Sequence, residues 1–186
     1  MIKDLTFITG NPHKADLIKQ HLGIEIAHHT LDLDEIQSVD PEEVIAHKVK
    51  QAYSILQKPV LVEDASLIFT ALGKLPGPLI KWFLLEIGNG GLCKLLKDFK
   101  DKSAIGQVGF GFYDGKELRV FLHSVHGSVP VAPRGDKGFG WDPVFIPAGY
   151  DKTWAEMDEE ERSKTYVRFP AMKQLEEFLK SYSASS

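Results

Sequence analysis

The sequence predicts an α/β protein: a mixed sheet with helices around it and a hairpin-bearing lobe. Three observations carry that expectation. A β-rich run, Leu5–Thr9, breaks at Gly10-Asn11 into a helix start. A wholly apolar run, Val60-Leu61-Val62, suits a strand buried on both faces. Asp114-Gly115 between two strand-like runs signals a hairpin. At 186 residues the chain fits one domain, spanning 1–186, with one core and a smaller lobe.

In chain order, Asn11 followed by Pro12 reads as an N-cap with proline at the first helical position, opening a helix to about Leu22. Ile24 to Ala27 is a second strand. Asp40-Pro41-Glu42-Glu43 repeats the helix start, and Val44, Ile45, Val49, Ala52, Tyr53 and Leu56 keep helical spacing. The third strand runs from Val60 into Glu63-Asp64. From Ser66 to Phe99, short helices are punctuated by Gly73, Pro76-Gly77-Pro78 and Gly88-Asn89-Gly90-Gly91. Val108–Tyr113 and Lys116–Leu122 form the hairpin around a two-residue turn, and Ser124–Val129 is a further strand. Pro133–Pro147 reads as a shaped loop. Ala171, Met172, Leu175, Phe178 and Leu179 belong to an amphipathic closing helix, with a frayed tail from Ser181.

Composition excludes several function classes. Net charge is -4 and the isoelectric point about 6.0, so no global basic field favours nucleic acid. One cysteine, Cys93, excludes an internal disulfide and a cysteine-based zinc site; its apolar neighbours Leu92, Leu95 and Leu96 mark a structural thiol. No secretory pattern or membrane-length apolar run is present, so a cytoplasmic protein is expected. The seven histidines show no metal-ligand spacing, and a Gly-x-Ser-x-Gly elbow is missing.

Four features could do chemistry. Thr9-Gly10-Asn11 at a helix start, with Lys14 one turn in, offers backbone N–H groups and a cation to phosphate. Alone it is a strand-to-helix turn. Glu63-Asp64 places two carboxylates at a strand end, where a hard cation such as Mg²⁺ could bridge them to phosphate, with Glu35 as a third carboxylate. Lys81 interrupts an apolar segment, and Lys48 lies on a helix face; such lysines by themselves are solvated. Phe139-Gly140-Trp141-Asp142 combines an aromatic platform for a base with a carboxylate that accepts from ring N–H groups.

Taken together these segments resemble the inosine triphosphate pyrophosphatase family, whose members hydrolyse deaminated purine triphosphates. The matching stretches are Phe7–Asn11 with Lys14; Leu61–Asp64 followed by Ala71-Leu72-Gly73, Leu75–Pro78 and Ile80–Leu84; Ala132–Gly135 with Phe139–Pro143; and Thr153 with Ala155-Glu156-Met157. They keep the family order from residue 5 to about 172. The resemblance implies a two-lobed α/β fold with a cleft between the lobes, a homodimer, Mg²⁺ and a nucleoside triphosphate substrate. By position it implies phosphate contacts from Thr9, Asn11, Lys14, Lys48 and Lys81. Glu35, Asp64 and Glu63 are the expected metal ligands, with Asp64 also activating water. Phe139, Trp141, Asp142, Arg162 and Arg168 are expected at the base. Two departures stand out. Leu17 replaces a family glutamate, and Tyr166-Val167-Arg168 replaces a Ser-His-Arg triplet. The expected activity is therefore Mg²⁺-dependent cleavage between the α- and β-phosphates. The rival is a nucleotide-binding or regulatory protein that has lost turnover.

Overall fold

A computed structural model describes residues 4–22 and 26–184. The first strand, β1 (Thr6–Ile8), is only three residues long because Thr9-Gly10-Asn11 turns the chain into helix α1 (Pro12–Leu22). The Asn11 side-chain oxygen accepts the His13 backbone N–H at 3.0 Å, the expected cap. Strand β2 (Ala27–His29) pairs parallel with β1 in the register Thr6↔Ala27. It therefore lies later than the expected Ile24–Ala27, of which residues 24 and 25 fall outside the described residues. All three of its residues are exposed, so edge pairing and not burial places it.

Helix α2 (Pro41–Leu56) starts where the sequence predicts, with the Asp40 carboxylate accepting from Glu42 N at 2.9 Å. It ends at Gln57, whose backbone is left-handed at φ 53°. Val44 is buried, and Ile45, Val49 and Ala52 are buried against Val60 and Val62; each larger side chain contributes about 1.5–3 kcal/mol of burial.

Strand β3 (Val60–Phe69) differs most from expectation. It does not stop at Asp64 but continues to Phe69, so Ser66–Phe69 are strand and not helix. The cause is β5 (Ser103–Tyr113), which pairs antiparallel with β3 along its whole length, from Val60↔Tyr113 to Phe69↔Ala104. On the other edge, β1 covers only Val60–Val62, and β4 (Pro76–Gly77) only Leu67–Ile68. Glu63, Asp64, Ala65 and Ser66 are thus left unpaired on one side, in mid-strand. That gap opens the site.

Strands β5 and β6 (Leu118–Ser128) form the expected hairpin, longer than predicted, and Ser124–Ser128 belongs to β6 itself. The turn has four residues: the Asp114 carboxylate accepts from Lys116 N at 2.8 Å and Glu117 N at 2.7 Å. Strand β7 (Ile146–Pro147) closes the sheet order β2-β1-β3-β5-β6-β7, with β4 attached to β3. Helix α3 (Ile80–Leu95) is kinked at Gly88, φ 60°. Helix α4 (Glu159–Thr165) was not anticipated; a capping box of Asp158 and Glu161 starts it. Helix α5 (Arg168–Ala184) begins before Ala171 and runs on through residues 181–184, where fraying was expected.

Side chains alternate across β3. Leu61, Leu67 and Phe69 join the core shared by α1, α3 and α5, whereas Val60 and Val62 join the one under α2. Cys93 lies in the first core, its thiol pushed up by burial. Among the described residues no helix is long and apolar enough to cross a membrane.

Candidate active site

The alternation on β3 sends Glu63 and Asp64 to opposite faces of the sheet, and their contacts follow. Glu63 Oε1 meets Lys14 Nζ of α1 at 3.2 Å and Arg168 Nε of α5 at 3.3 Å. Asp64 Oδ1 meets Lys48 Nζ of α2 at 2.8 Å. Lys48 also touches Glu35 Oε2 at 2.9 Å, and Lys81 Nζ reaches Glu35 Oε1 at 3.2 Å. Four cations and three carboxylates therefore converge on the gap in β3.

The electrostatics separate the carboxylates. Burial pushes Glu63 up, but the Lys14 and Arg168 charges outweigh it and hold the acid below its ordinary value. Burial likewise opposes Lys48 and Lys81 at Glu35, and again the cations win. At Asp64 burial prevails over Lys48 and Lys14, so this carboxyl is raised. Its second oxygen, Oδ2, is buried with no hydrogen-bond partner. A buried, unpaired carboxylate oxygen is costly unless something else engages it.

A cleft of about 640 Å³ opens here. Thr9, Asn11, Lys14, Glu35, Lys48, Glu63, Asp64, Lys81, Phe139, Trp141 and Arg168 all line it. One wall is the phosphate-type turn, where Thr9 Oγ1 accepts from Asn11 N at 3.1 Å and α1 points its N-terminus at the cleft. The first turn of α3 and the loop that carries Phe139 also line it.

The structure does not bring Asp142 and Arg162 into that lining. Asp142 is 1% exposed and lies behind the loop. Its Oδ2 accepts from Phe139 N at 3.0 Å, Tyr166 Oη at 3.1 Å and Arg162 Nη2 at 3.3 Å. Burial raises its carboxyl despite Arg168 and Arg162. A side chain at Gly138, φ 76°, would strike Asp142 Oδ2, so glycine is required there. Trp141 turns its ring into the core against Phe145 and Trp154, into space left by Gly106. Glu63, expected as a metal ligand, is held by two cations across the sheet from Asp64. Among the described residues no three His, Cys, Asp or Glu side chains are grouped to hold a metal.

Sequence reasoning missed Tyr166 as a connector. Its ring is 1% exposed, its hydroxyl donates to Asp142 and accepts from Arg168 Nη1 at 2.9 Å, and the Arg162 guanidinium stacks on it at 4.2 Å. Val167, by contrast, is fully buried in the core. Asn89, whose Nδ2 donates to Gly140 O at 3.0 Å, ties α3 to the Phe139 loop. Neither role leaves a local signal, because each depends on a partner far along the chain.

Known proteins resemble this chain over nearly its whole length. The Ham1 family matches residues 5–178. The chain is 44% identical over 180 residues to an inosine triphosphate pyrophosphatase of Yarrowia lipolytica, covering 94% of this chain and 95% of that one. It is 41% identical over 185 residues to one of Schizosaccharomyces pombe, covering 97% of each. In structure it is similar to a HAM1 protein from Coxiella burnetii, with a TM-score of 0.84 at 22% identity, covering 95% of this chain and 98% of that one.

Proposed function

This chain belongs to the Ham1 family, and from that premise we propose that it is a nucleoside-triphosphate pyrophosphohydrolase acting on noncanonical purine nucleotides such as ITP, dITP and XTP. It releases a nucleoside monophosphate and pyrophosphate. One observation supports the reading most: an unpartnered carboxylate oxygen, Asp64 Oδ2, sits among lysines at the foot of an open cleft.

The triphosphate lies along Lys14, Lys48 and Lys81, with the α1 N-terminus adding N–H donors. Lys48 exchanges part of its contact with Glu35 and Asp64 for phosphate oxygens as the substrate enters. Asp64 Oδ2 accepts a proton from the water that attacks the α-phosphorus, a task suited to a carboxylate whose basicity burial has raised. Charge neutralisation and in-line positioning supply the rest of the rate. Glu35 and Asp64 fit Mg²⁺, because they meet at one cation and Mg²⁺ needs only one or two carboxylates beside phosphate and water. Bound there, it would supply Lewis-acid neutralisation of the phosphate oxygens. Glu63 instead orients Lys14 and Arg168. We infer from the family resemblance a homodimer of two-lobed subunits, and from chain length and the lack of secretory or membrane-length patterns a single-domain, cytoplasmic protein.

The test is a panel of ITP, XTP, dITP, GTP and ATP with Mg²⁺, reading pyrophosphate and orthophosphate separately. Pyrophosphate as product is expected; orthophosphate, or nucleotide binding with no release, sinks the reading. In the same assay Lys14→Ala and Lys81→Ala each raise KM about tenfold or more, the worth of a lost charged hydrogen bond. The factor is the same for two different bases, since these cations serve phosphate. A loss confined to one base contradicts their assignment.

Selectivity should depart from that of relatives with a serine at position 166. Tyr166 already engages Asp142 and Arg168, two groups expected to read the base. A site discriminates sharply only where its polar groups would be left unpaired by the wrong ligand. The native chain therefore prefers ITP over GTP and ATP weakly, and Tyr166→Ser sharpens the ratio of kcat/KM values. Equal ratios in the two proteins refute this.

A further inference from the structure

Phe139 stands between two cavities. Arg168 lines the 640 Å³ cleft on one side, and His13 lines a second cavity of about 410 Å³ on the other, with Gln20, Lys137 and Arg162. The segment that carries the ring is held, and buried Arg168 packs on one face of the ring. The Phe139 backbone N–H is held by Asp142, the following carbonyl is held by Asn89, and Gly138 and Gly140 flank it at φ 76° and 66°. On the cleft side the Arg168 guanidinium lies 4.6 Å from the ring centroid, buried and locked by Glu63 and Tyr166. That side is closed to a base.

The other contact is different in kind. The His13 imidazole lies nearly parallel to Phe139, with 5.6 Å between centroids and 12° between planes. His13 is exposed, and what the structure fixes is its backbone, through the Asn11 cap. It stands one residue before Lys14, so the turn that grips phosphate also carries this ring. Two rings 5.6 Å apart leave no room for a third between them. A planar base can reach Phe139 only if the imidazole moves outward.

Building on the activity proposed above, we infer that His13 is a base-stacking residue: it covers Phe139 in the empty enzyme, swings aside as the nucleotide enters, and closes on the free face of the base. Phe139 is the fixed wall of the slot and His13 the moving one. Because the wall is a flat ring, it favours purines for their area without reading their edges, which leaves edge recognition to other groups. No periodicity or metal spacing marks this histidine; only the folded chain places it against residue 139.

The experiment compares the native chain, His13→Ala and His13→Phe by calorimetric titration with inosine monophosphate, alongside KM and kcat for ITP and a thermal melt. Loss of one stacking wall weakens monophosphate binding about tenfold and raises KM to match, with kcat little changed, the usual scale for one base–aromatic contact. His13→Phe restores both to within about threefold, which a merely structural role would not produce. Unchanged binding in His13→Ala, a phenylalanine variant as impaired as alanine, or a native chain that does not bind the monophosphate overturns the inference. A native chain that binds it, with the alanine loss and phenylalanine rescue, yet releases no pyrophosphate, sinks the enzymatic reading and leaves the stacking role standing.

Discussion

Asp64→Asn yields a folded protein that releases pyrophosphate at least about a hundredfold more slowly than the native chain, the scale set by losing one well-placed electrostatic group. The substitution preserves shape and the contact with Lys48 through the amide oxygen. It removes the basicity of Oδ2, which among the described residues is the one carboxylate oxygen buried without a partner. It also removes a negative charge that a cation would need. Stability should not fall, because burial raises the Asp64 carboxyl, so the charged form is already disfavoured in the fold. A melting temperature near native with residual activity below one hundredth is the expected pair of readings. A well-folded variant at near-native rate would remove Asp64 from the mechanism and leave the cleft as a binding site alone.

Arg168→Met, in contrast, acts on the fold. Arg168 is 3% exposed and bonds Glu63 Oε1 and the Tyr166 hydroxyl while lying over Phe139. Its removal leaves the buried Glu63 carboxylate with Lys14 alone, and breaking a buried pair from one side costs about 3–5 kcal/mol. The pH dependence has a definite sign. In the native chain Glu63 is held below its ordinary value, so its contribution is full above that value and is lost as pH falls through the depressed one. In the variant burial meets less opposition, the Glu63 carboxyl rises, and acid relieves it by protonation. The gap in unfolding free energy between the two proteins is therefore widest near neutrality and narrows as pH drops through the carboxylate range. Urea denaturation at pH 7 and at about pH 4 measures both arms. A gap of under about 1 kcal/mol at neutrality, or one that widens in acid, contradicts the role given to this pair.

What the sequence by itself determined is local. Asn11-Pro12 and Asp40-Pro41 start helices because a side-chain oxygen and a fixed φ act within three residues. The helical spacing from Val44 to Leu56 names the buried face of α2, and the signal at Asp114-Gly115 places the hairpin. The capping box at Asp158–Glu161 was legible too, but Glu159–Thr165 carries no apolar stripe, so α4 passed unread. Eleven of the expected site residues line one cleft; several of them, Lys48, Lys81 and Arg168 among them, were expected there through the order of the family's segments and not through a local motif of their own.

The tertiary structure decided everything that depends on a partner distant in the chain. Strand β3 runs past Asp64 because β5, about forty residues later, supplies its hydrogen bonds, and strand alternation then sends Glu63 and Asp64 to opposite faces. That separation, invisible in the dipeptide, makes one carboxylate the anchor of Lys14 and Arg168 and leaves the other with a free oxygen. Asp142 reads as a base contact in sequence, yet three donors from residues 139, 162 and 166 pull it behind the loop. His13 meets Phe139 across 126 positions for the same reason. Propensity and capping are energies between near neighbours, whereas ion pairs, stacking and burial are energies between surfaces, and surfaces exist only once the chain has folded.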